Sequence, residues 1–220
     1  METKALDFLK RLSESFGPSG FETEPLRVVK QYVQPFADEI KNDRQGSLHF
    51  SARGSARPVV ILPGHVDEVG FIVSGINPWG FLTFNAIGGW FDQVLLGQRV
   101  RIRTPKGLVF GVIASKLPHI LSAEERSKVV PKKKMFIDIG CSNEQEAREM
   151  GVCVGDPVVL ESPFSTFEKN VFRKTDGEER NIGKTTLTCG KAFDDRIGAF
   201  VAAEVVRRLE EKTVESFTAV

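Results

Sequence analysis

Apolar residues in the first part of the chain recur every three or four positions and predict two amphipathic helices. The expected buried positions are Leu6, Leu9, Leu12 and Phe16 in the first helix, and Val28, Val29, Tyr32 and Phe36 in the second. The glycine- and proline-containing residues 17–20 end the first helix. The second helix is expected to begin between residues 23 and 25, because proline is tolerated in a first turn. Two short strands, at residues 39–42 and 47–52, are predicted to follow.

Residues 59–62 form an apolar run of two valines, an isoleucine and a leucine that stops at Pro63 and Gly64. Such a run predicts a strand buried on both faces, as in a parallel sheet covered by helices. Ligand sites in sheets of this kind lie just outside the carboxyl ends of the strands. The end of this strand is therefore the first place where functional side chains are expected.

His65 and Asp67 stand at that strand end. In extended chain, residues two apart point the same way, so Asp67 can accept a hydrogen bond from one ring nitrogen of His65. The other ring nitrogen is then free to hold a metal, and the carboxylate fixes the tautomer of the imidazole. A solvated polar loop remains the alternative, since so short a pattern recurs by accident.

The periodicity changes after Phe71, where short β-rich pieces are divided by glycine and proline. The predicted strands are residues 71–73, 80–84, 99–103, 108–113 and 156–160, with one helix at about residues 143–150. Many short strands at this spacing indicate a small barrel or sandwich. Residues 166–181 are polar and predict an exposed connection, longer than a simple return to the α/β layer near residues 185–191 needs to be.

A last helix is predicted after Phe193, with two aspartates at its start. Its expected apolar positions are Ile197, Val201, Val205 and Leu209, and its expected charged positions are Arg207, Arg208, Glu210 and Glu211. An aspartate at this place caps the free N–H groups of the first turn and favours the positive end of the helix dipole. Two successive caps are redundant, and a carboxylate at a strand-to-helix junction could instead bridge two cations. The local pattern leaves both roles open for Asp194 and Asp195.

Composition excludes several other classes of function. A formal charge of +1 gives no electrostatic case for nucleic acid or an acidic membrane surface, and residues 132–134, three lysines, are interpreted as a solvated turn. The chain begins without a signal-peptide pattern, and no apolar stretch approaches the about 20 residues that span a bilayer. Cys141, Cys153 and Cys189 lack C-x-x-C spacing and predict free thiols. A soluble, cytoplasmic protein is expected.

Seven stretches spread along nearly the whole chain carry a more specific signal. They are GPSGFE at residues 17–22, GHVDEVGF at 64–71, GGWFDQVLLGQRV at 88–100, SKLPHILSAEER at 115–126, FIDIGCSNEQEA at 136–147, VGDPVV at 154–159 and GKAFDDRIG at 190–198. In this order they resemble the cytosolic dinuclear-metal aminopeptidases that assemble into hollow tetrahedral particles. This is the glutamyl and deblocking aminopeptidase group, some of whose members are labelled endoglucanases.

The resemblance implies an α/β fold. A three-layer α/β/α metallopeptidase domain, truncated at its C-terminus, would comprise residues 1–70 and 177–220. An inserted small all-β barrel domain, residues 71–176, would build the oligomer contacts. The expected assembly is a homo-oligomer of dimers that form a dodecamer, and the expected substrate is a peptide.

The resemblance also implies roles for the candidate site residues. His65 corresponds to the terminal histidine ligand of one metal, Asp67 to the catalytic aspartate that orients it, and Asp194 to the carboxylate that bridges two metals. Asp195 is then left as the helix cap. The implied cofactors are two divalent metal ions, zinc or cobalt, with manganese as a further candidate. His119 matches one of the stretches but lies in the inserted domain and is interpreted as structural.

In that group a later Gly-Thr-x-Gln-Glu-Glu-Val-Gly stretch supplies the general-base glutamate and a metal ligand. A further aspartate and a histidine near the C-terminus complete the two metal spheres. The sequence ends at Val220, where that strand is expected to open. The resemblance therefore predicts a truncated form or fragment that is inactive alone.

Two other functions stay open. A glycosidase would need two carboxylates on opposite sides of a sugar, and a histidine with clustered aspartates fits metal chemistry better. A non-catalytic, oligomer-forming protein would use the β insertion and carry only a vestigial half-site.

Overall fold

The computed structural model describes residues 2–52, 58–175, 178–211 and 218–219. In chain order the helices and strands are α1 (Thr3–Glu14), α2 (Thr23–Val33), β1 (Glu39–Asn42), β2 (Leu48–Ser51), β3 (Val59–Val60), β4 (Gly70–Ile76), β5 (Leu82–Ile87), β6 (Arg99–Thr104), β7 (Gly107–Ala114), α3 (Ala123–Arg126), β8 (Phe136–Asp138), α4 (Glu144–Glu149), β9 (Pro157–Leu160), β10 (Ser165–Thr175), β11 (Glu178–Cys189), α5 (Phe193–Glu211) and β12 (Thr218–Ala219). Short 3₁₀ turns lie at residues 92–94, 118–120 and 132–134. The result is a mixed α/β structure with two separate cores.

The first core lies between α1, α2 and α5. It is formed by Phe8, Leu12, Val28, Val29, Tyr32, Val33, Ala199 and Ala203. The two N-terminal helices form as their apolar spacing predicts, although Leu6 and Phe36 are only half-buried. Phe8 stacks on Tyr32 with ring centroids 3.8 Å apart, and the β1–β2 hairpin packs against the same core.

The second core fills a closed barrel with the strand order β4-β5-β8-β7-β6-β9. Every neighbouring pair is antiparallel, and closure leaves no unpaired sheet edge. The inward residues include Phe71, Val73, Leu82, Val100, Ile102, Ile113, Ile137 and Val158, all at most 1% exposed. The β-rich pieces of the sequence thus form a barrel and not a sandwich.

Residues 165–189 correct one prediction, since the polar stretch at 166–181 is not an irregular connection. It belongs to a long antiparallel hairpin of β10 and β11, with a bulge at Ile182. Apolar and aromatic side chains, including Phe167 and Leu187 on paired positions, occur among the charges and support strand structure. The predicted domain boundary between residues 176 and 177 lies outside the described residues.

The strand predicted at residues 59–62 is also corrected. Only Val59 and Val60 are assigned to β3, and within the described chain this strand pairs with β12 alone, in parallel. Val59 is 45% exposed and Ile61 is 70% exposed, so the run is not buried on both faces. The apolar character of the run is real, but no second layer covers it in the described residues.

Helix α5 forms where the sequence predicts it, but a different face is buried. Arg196, Ala199, Ala203, Val206 and Arg207 point into the structure, whereas Val201 is 47% exposed. Ile197, Val205 and Leu209, the rest of the predicted apolar stripe, are half-buried. Alanines 199, 202 and 203 allow α5 to approach α1 and α2 closely, and this contact sets the buried face.

Arg207, which the sequence identifies only as a charged position of α5, is buried. It is 2% exposed, and its guanidinium pairs with Glu204 on the same helix at 3.0 Å. The Tyr32 hydroxyl donates to Glu204 as well. Burial raises the pKa of Tyr32, and its hydrogen bond to the Glu204 carboxylate raises that pKa further. None of the described helices is both long and apolar enough to cross a membrane.

Candidate metal centre

His65, Asp67 and Asp194 meet at one point between the end of β3 and the start of α5. The Nδ1 atom of His65 is 2.9 Å from Oδ1 of Asp67. Its Nε2 atom is 3.4 Å from Oδ1 of Asp194. The His65 side chain is 55% exposed and that of Asp194 is 99% exposed, so both groups face solvent. The structure thus brings together three residues that span 130 positions of sequence.

Two glycines allow this approach. A Cβ atom on Gly64 would lie 2.4 Å from the backbone nitrogen of Ala199, so only glycine lets the end of β3 touch α5. A Cβ atom on Gly198 would lie 2.4 Å from Oδ2 of Asp195. Both glycines belong to the stretches that carry the family resemblance, and close backbone packing explains their presence.

Asp194 and Asp195 make different contacts, and both roles were left open by the local sequence. Asp195 Oδ1 accepts a hydrogen bond from the Gly198 N–H at 3.0 Å, three residues on, which is the geometry of a helix cap. Asp194 makes no such bond, and its carboxylate points toward His65. The backbone of both residues is non-helical, and the peptide bond between them is cis.

Asp67 has a second partner that sequence reasoning missed. Its Oδ2 atom accepts a hydrogen bond from the Ser19 hydroxyl. Asp67 is therefore held from both sides, by His65 through one oxygen and by Ser19 through the other. Ser19 lies in the GPSGFE stretch, whose only local signal is that of a turn.

A buried group of charges behind the site was missed as well. Arg196 is fully buried and donates to the carbonyl oxygens of Leu12, Ser13, Ser15 and Val66 at 2.7–3.0 Å. Its Nη2 atom also lies 3.2 Å from the Glu68 carboxylate. Lys191 donates to the same Glu68 oxygen at 2.5 Å and to the Ser15 carbonyl at 2.9 Å. This Glu68–Lys191–Arg196 cluster fastens the end of α1, the loop after β3 and the start of α5 together.

Two cations share one carboxylate in that cluster. Burial lowers the pKa of Lys191 to about 8, against the attraction of Glu68 and with added repulsion from Arg196. Burial likewise lowers the pKa of Arg196. Glu68, Lys191 and Arg196 all lie in the stretches that carry the family resemblance, but local patterns do not show that these charges are buried together.

A cavity of about 460 Å³ opens beside the three residues. Its polar side is formed by His65, Asp67, Glu68, Lys191 and Asp194. Its apolar side is formed by Val69, Trp90, Leu160 and Phe193. Trp90 is fixed there by a hydrogen bond from its indole nitrogen to the Gly70 carbonyl at 3.1 Å and by stacking on Phe71. Polar groups and an apolar wall facing one cavity are typical of a site for a small organic ligand.

The His65–Asp194 pair fits a divalent metal ion. Imidazole nitrogen and carboxylate oxygen are zinc ligands, and two donors on one tetrahedral zinc at about 2.0–2.1 Å stand about 3.3 Å apart. The observed separation of Nε2 and Oδ1 is 3.4 Å. A catalytic zinc takes three protein ligands, and no group of three or more potential ligands occurs among the described residues. The described chain therefore offers two candidate donors, His65 and Asp194, for such an ion.

The two remaining histidines and two aspartates at turns lie away from this site. His49 contacts Asp43 at 3.3 Å in the β1–β2 hairpin, and His119 is exposed in the 3₁₀ turn at 118–120. Asp138 and Asp156 each accept a backbone N–H at 2.8 Å, from Gly140 and Cys153, and shape turns. All three cysteines are free thiols, as expected.

The described fold is an α/β part with a closed β-barrel between β3 and α5 in the sequence, and its candidate site combines a histidine with two aspartates. The model of the M42 glutamyl aminopeptidase family matches residues 46–220. The chain belongs to this family.

Named relatives agree with that membership. The FrvX protein of Escherichia coli K12 is 34% identical over 210 residues, which are 95% of this chain and 54% of the relative. The lysyl aminopeptidase of Pyrococcus furiosus is 30% identical over 213 residues, which are 96% of this chain and 57% of the relative. The chain thus spans about half the length of these relatives.

Solved structures give the same result. A TET aminopeptidase from a marine sediment Thaumarchaeota archaeon superposes with a TM-score of 0.87 at 50% identity, covering 99% of this chain and 57% of that one. The TET1 peptidase of Pyrococcus horikoshii can assemble into a tetrahedron or a large octahedral shell. It superposes with a TM-score of 0.75 at 27% identity, covering 98% of this chain and 59% of that one. An endoglucanase of Thermotoga maritima superposes with a TM-score of 0.69 at 27% identity, covering 96% of this chain and 58% of that one.

Proposed function

We propose that this chain carries part of the active site of a metal-dependent aminopeptidase that hydrolyses N-terminal residues from peptides. The observation that carries the proposal is the approach of His65 Nε2 and Asp194 Oδ1 to 3.4 Å at the mouth of the cavity. Membership of the M42 glutamyl aminopeptidase family supports the same activity.

In this proposal two divalent ions, zinc or cobalt, are bound at the site. His65 would be a ligand of one ion, and the Asp194 carboxylate would be shared between the two. Asp67 accepts the Nδ1 hydrogen of His65, so the Nε2 lone pair is directed outward toward the ion. The absence of three clustered ligands among the described residues agrees with a need for further ligands, and for a general base, from other parts of the whole protein.

Bound divalent ions would polarise the scissile carbonyl and lower the pKa of the attacking water. The residues of the chain would bind the peptide and orient it. Trp90, Leu160 and Phe193 would exclude water from one side of a bound peptide, and the exposed carboxylate of Asp194 lies on the polar side of the cavity. We expect the described residues alone to bind metal weakly and to leave peptides intact.

The proposal includes an architecture and an assembly. The α/β part, residues 1–70 and 177–220, would belong to a three-layer α/β/α domain, and residues 71–176 would be the inserted barrel domain. Val59, Ile61 and Val201 would be covered in the whole domain, which explains why apolar side chains stand exposed here. The tetrahedral and octahedral shells of the Pyrococcus horikoshii peptidase favour a homo-oligomer for this protein too.

The metal role is tested by two neighbouring substitutions. Zn²⁺ is titrated calorimetrically into the wild type, Asp194→Asn and Asp195→Asn. Asp194→Asn should abolish binding at this site, because it removes a charged ligand. Asp195→Asn is the matched control and should retain binding, since asparagine caps a helix about as well as aspartate. Equal affinity of all three proteins would refute the metal role of Asp194.

Activity is tested beside metal binding, with aminoacyl-anilide and cellulose substrates and chelator controls. The whole protein should release the anilide in a metal-dependent reaction, and the 220-residue chain should not. Cellulose hydrolysis that survives chelation would favour the glycosidase that the Thermotoga maritima neighbour suggests. An oligomer without bound metal or activity would favour the non-catalytic alternative, which the incomplete ligand set makes a real competitor.

A further inference from the structure

The loop between α1 and α2 reaches the candidate centre through one side chain. The Ser19 hydroxyl donates to Oδ2 of Asp67, while Oδ1 of the same carboxylate lies 2.9 Å from His65 Nδ1. These contacts form a continuous chain from Ser19 through Asp67 and His65 to Asp194. Nothing in the local sequence around Ser19 indicates more than a turn.

The serine is held in place by its loop. The backbone N–H of Glu68 donates to the Gly17 carbonyl at 2.9 Å, and the Gly17 N–H donates to the Glu68 carboxylate at 3.3 Å. The Phe21 N–H closes the turn on the Pro18 carbonyl at 2.8 Å. Because residues 17–21 are fastened to the 65–68 loop, the hydroxyl is presented to Asp67 at little further cost in conformational entropy.

This arrangement has a consequence for the imidazole. A carboxylate held by one partner can rotate about its terminal torsion, whereas one held through both oxygens cannot. A fixed Asp67 keeps the hydrogen of His65 on Nδ1 and turns the Nε2 lone pair toward Asp194. We propose that Ser19 is a positioning residue of the metal centre, which sets the tautomer and direction of His65 through Asp67. The part that concerns metal rests on the function proposed above.

The first measurement needs no metal. Long-range proton–nitrogen NMR correlations of labelled protein report which His65 nitrogen carries hydrogen, at about pH 8, above the usual imidazole pKa of about 6.5. The wild type should show the Nδ1–H tautomer. Ser19→Ala should populate the Nε2–H tautomer, and Ser19→Thr, which keeps the hydroxyl, should restore the wild-type spectrum.

A matched control separates this role from a general effect of losing a hydroxyl. Ser74 is also exposed and donates to a neighbouring side chain, Thr83 Oγ1, at 3.1 Å within the barrel. Ser74→Ala should leave the His65 signals unchanged. A wild-type tautomer in Ser19→Ala, with water taking the place of the hydroxyl, would overturn the proposal.

The second measurement titrates Co²⁺ and follows the paramagnetic shift of the His65 ring signals. Ser19→Ala should weaken Co²⁺ binding by about tenfold, the lower end of the range for outer partners of a metal ligand. Affinity equal to that of the wild type would overturn the effect of Ser19 on the metal. If Co²⁺ leaves His65 unperturbed even in the wild type, the proposed function fails, while the tautomer experiment still decides the positioning role.

Discussion

The barrel and the α/β part differ in how they bury their apolar residues. The six barrel strands close on themselves, and their inward side chains form a core that includes fully buried residues such as Leu82 and Ile137. In the described chain, β3 pairs only with the two residues of β12, and Val59 and Ile61 remain exposed. Closure makes a sheet self-sufficient, whereas an open parallel sheet depends on layers supplied by other segments.

The two regions also differ in what holds them together. The core of the barrel is formed by packed apolar side chains. The α/β part places a buried ionic cluster, Glu68, Lys191 and Arg196, where three segments meet behind the candidate metal centre. Polar groups buried in this way fix one arrangement of loops, since each bond has a required direction. The cluster therefore fixes the segments that carry His65 and Asp194 relative to each other.

The largest effect is expected from Arg196→Leu. Removing one partner of a buried ionic cluster costs about 3–5 kcal/mol, and four carbonyl oxygens within 3.0 Å lose their donor. Hydrogen exchange resolved by region should show faster exchange in α1 and α5, with the barrel strands unchanged. Equal loss of protection in the barrel would show that the two regions are one cooperative unit.

A slightly smaller effect is expected from Leu82→Ala in the barrel. The side chain is fully buried, and such truncations cost about 2–5 kcal/mol. Chemical denaturation should show the loss, and hydrogen exchange should locate it in β4 to β9. Accelerated exchange of α1 and α5 in this variant would contradict the separation of the two cores.

The ionic cluster should also make stability depend on pH. The folded pKa of Lys191 is lowered to about 8, so above pH 8 the unfolded chain binds a proton that the folded chain has released. Stability of the α/β part therefore rises between about pH 8 and pH 10, by about 1.4 kcal/mol per unit or about 2 kcal/mol in all. The difference in unfolding free energy between wild type and Lys191→Met should grow over this range. A constant difference would contradict the lowered pKa.

The smallest change in unfolding free energy is expected on the exposed face of α5. Val201 is 47% exposed and Val206 is 2% exposed. Val201→Ala should change the unfolding free energy by less than about 0.5 kcal/mol, whereas Val206→Ala, the matched buried position, should cost about 2 kcal/mol. Equal costs in the 220-residue chain would mean that the apolar stripe of α5 is already covered.

Helix α5 shows what a sequence can and cannot predict. The spacing of Ile197, Val201 and Val205 correctly indicated a helix, because local periodicity depends on neighbours three and four residues away. It indicated the wrong buried face, because the alanines that meet α1 and α2 look unremarkable in sequence. The burial of Arg207 was not predicted either, since its contact with the distant Glu2 is visible only after folding.

In the barrel and at the candidate site, local features were predicted from the sequence and distant contacts were not. Five of the barrel strands were predicted from their β-rich composition, but β8 was missed because it has only three residues. The contact of His65 with Asp67 was predicted from extended-chain geometry, in which residues two apart point the same way. The Ser19 and Glu68 contacts cross 48 and 123 positions to Asp67 and Lys191, and no local pattern reports such distances.

The central claim is that His65 and Asp194 hold a divalent ion together, and a crystal soaked in Zn²⁺ tests it most directly. Diffraction measured at the zinc absorption edge locates bound zinc independently of any assumed site. The account predicts an anomalous peak between His65 Nε2 and Asp194 Oδ1, absent from Asp194→Asn crystals and present in Asp195→Asn crystals. A zinc peak that contacts neither residue, or that persists in Asp194→Asn, would contradict it.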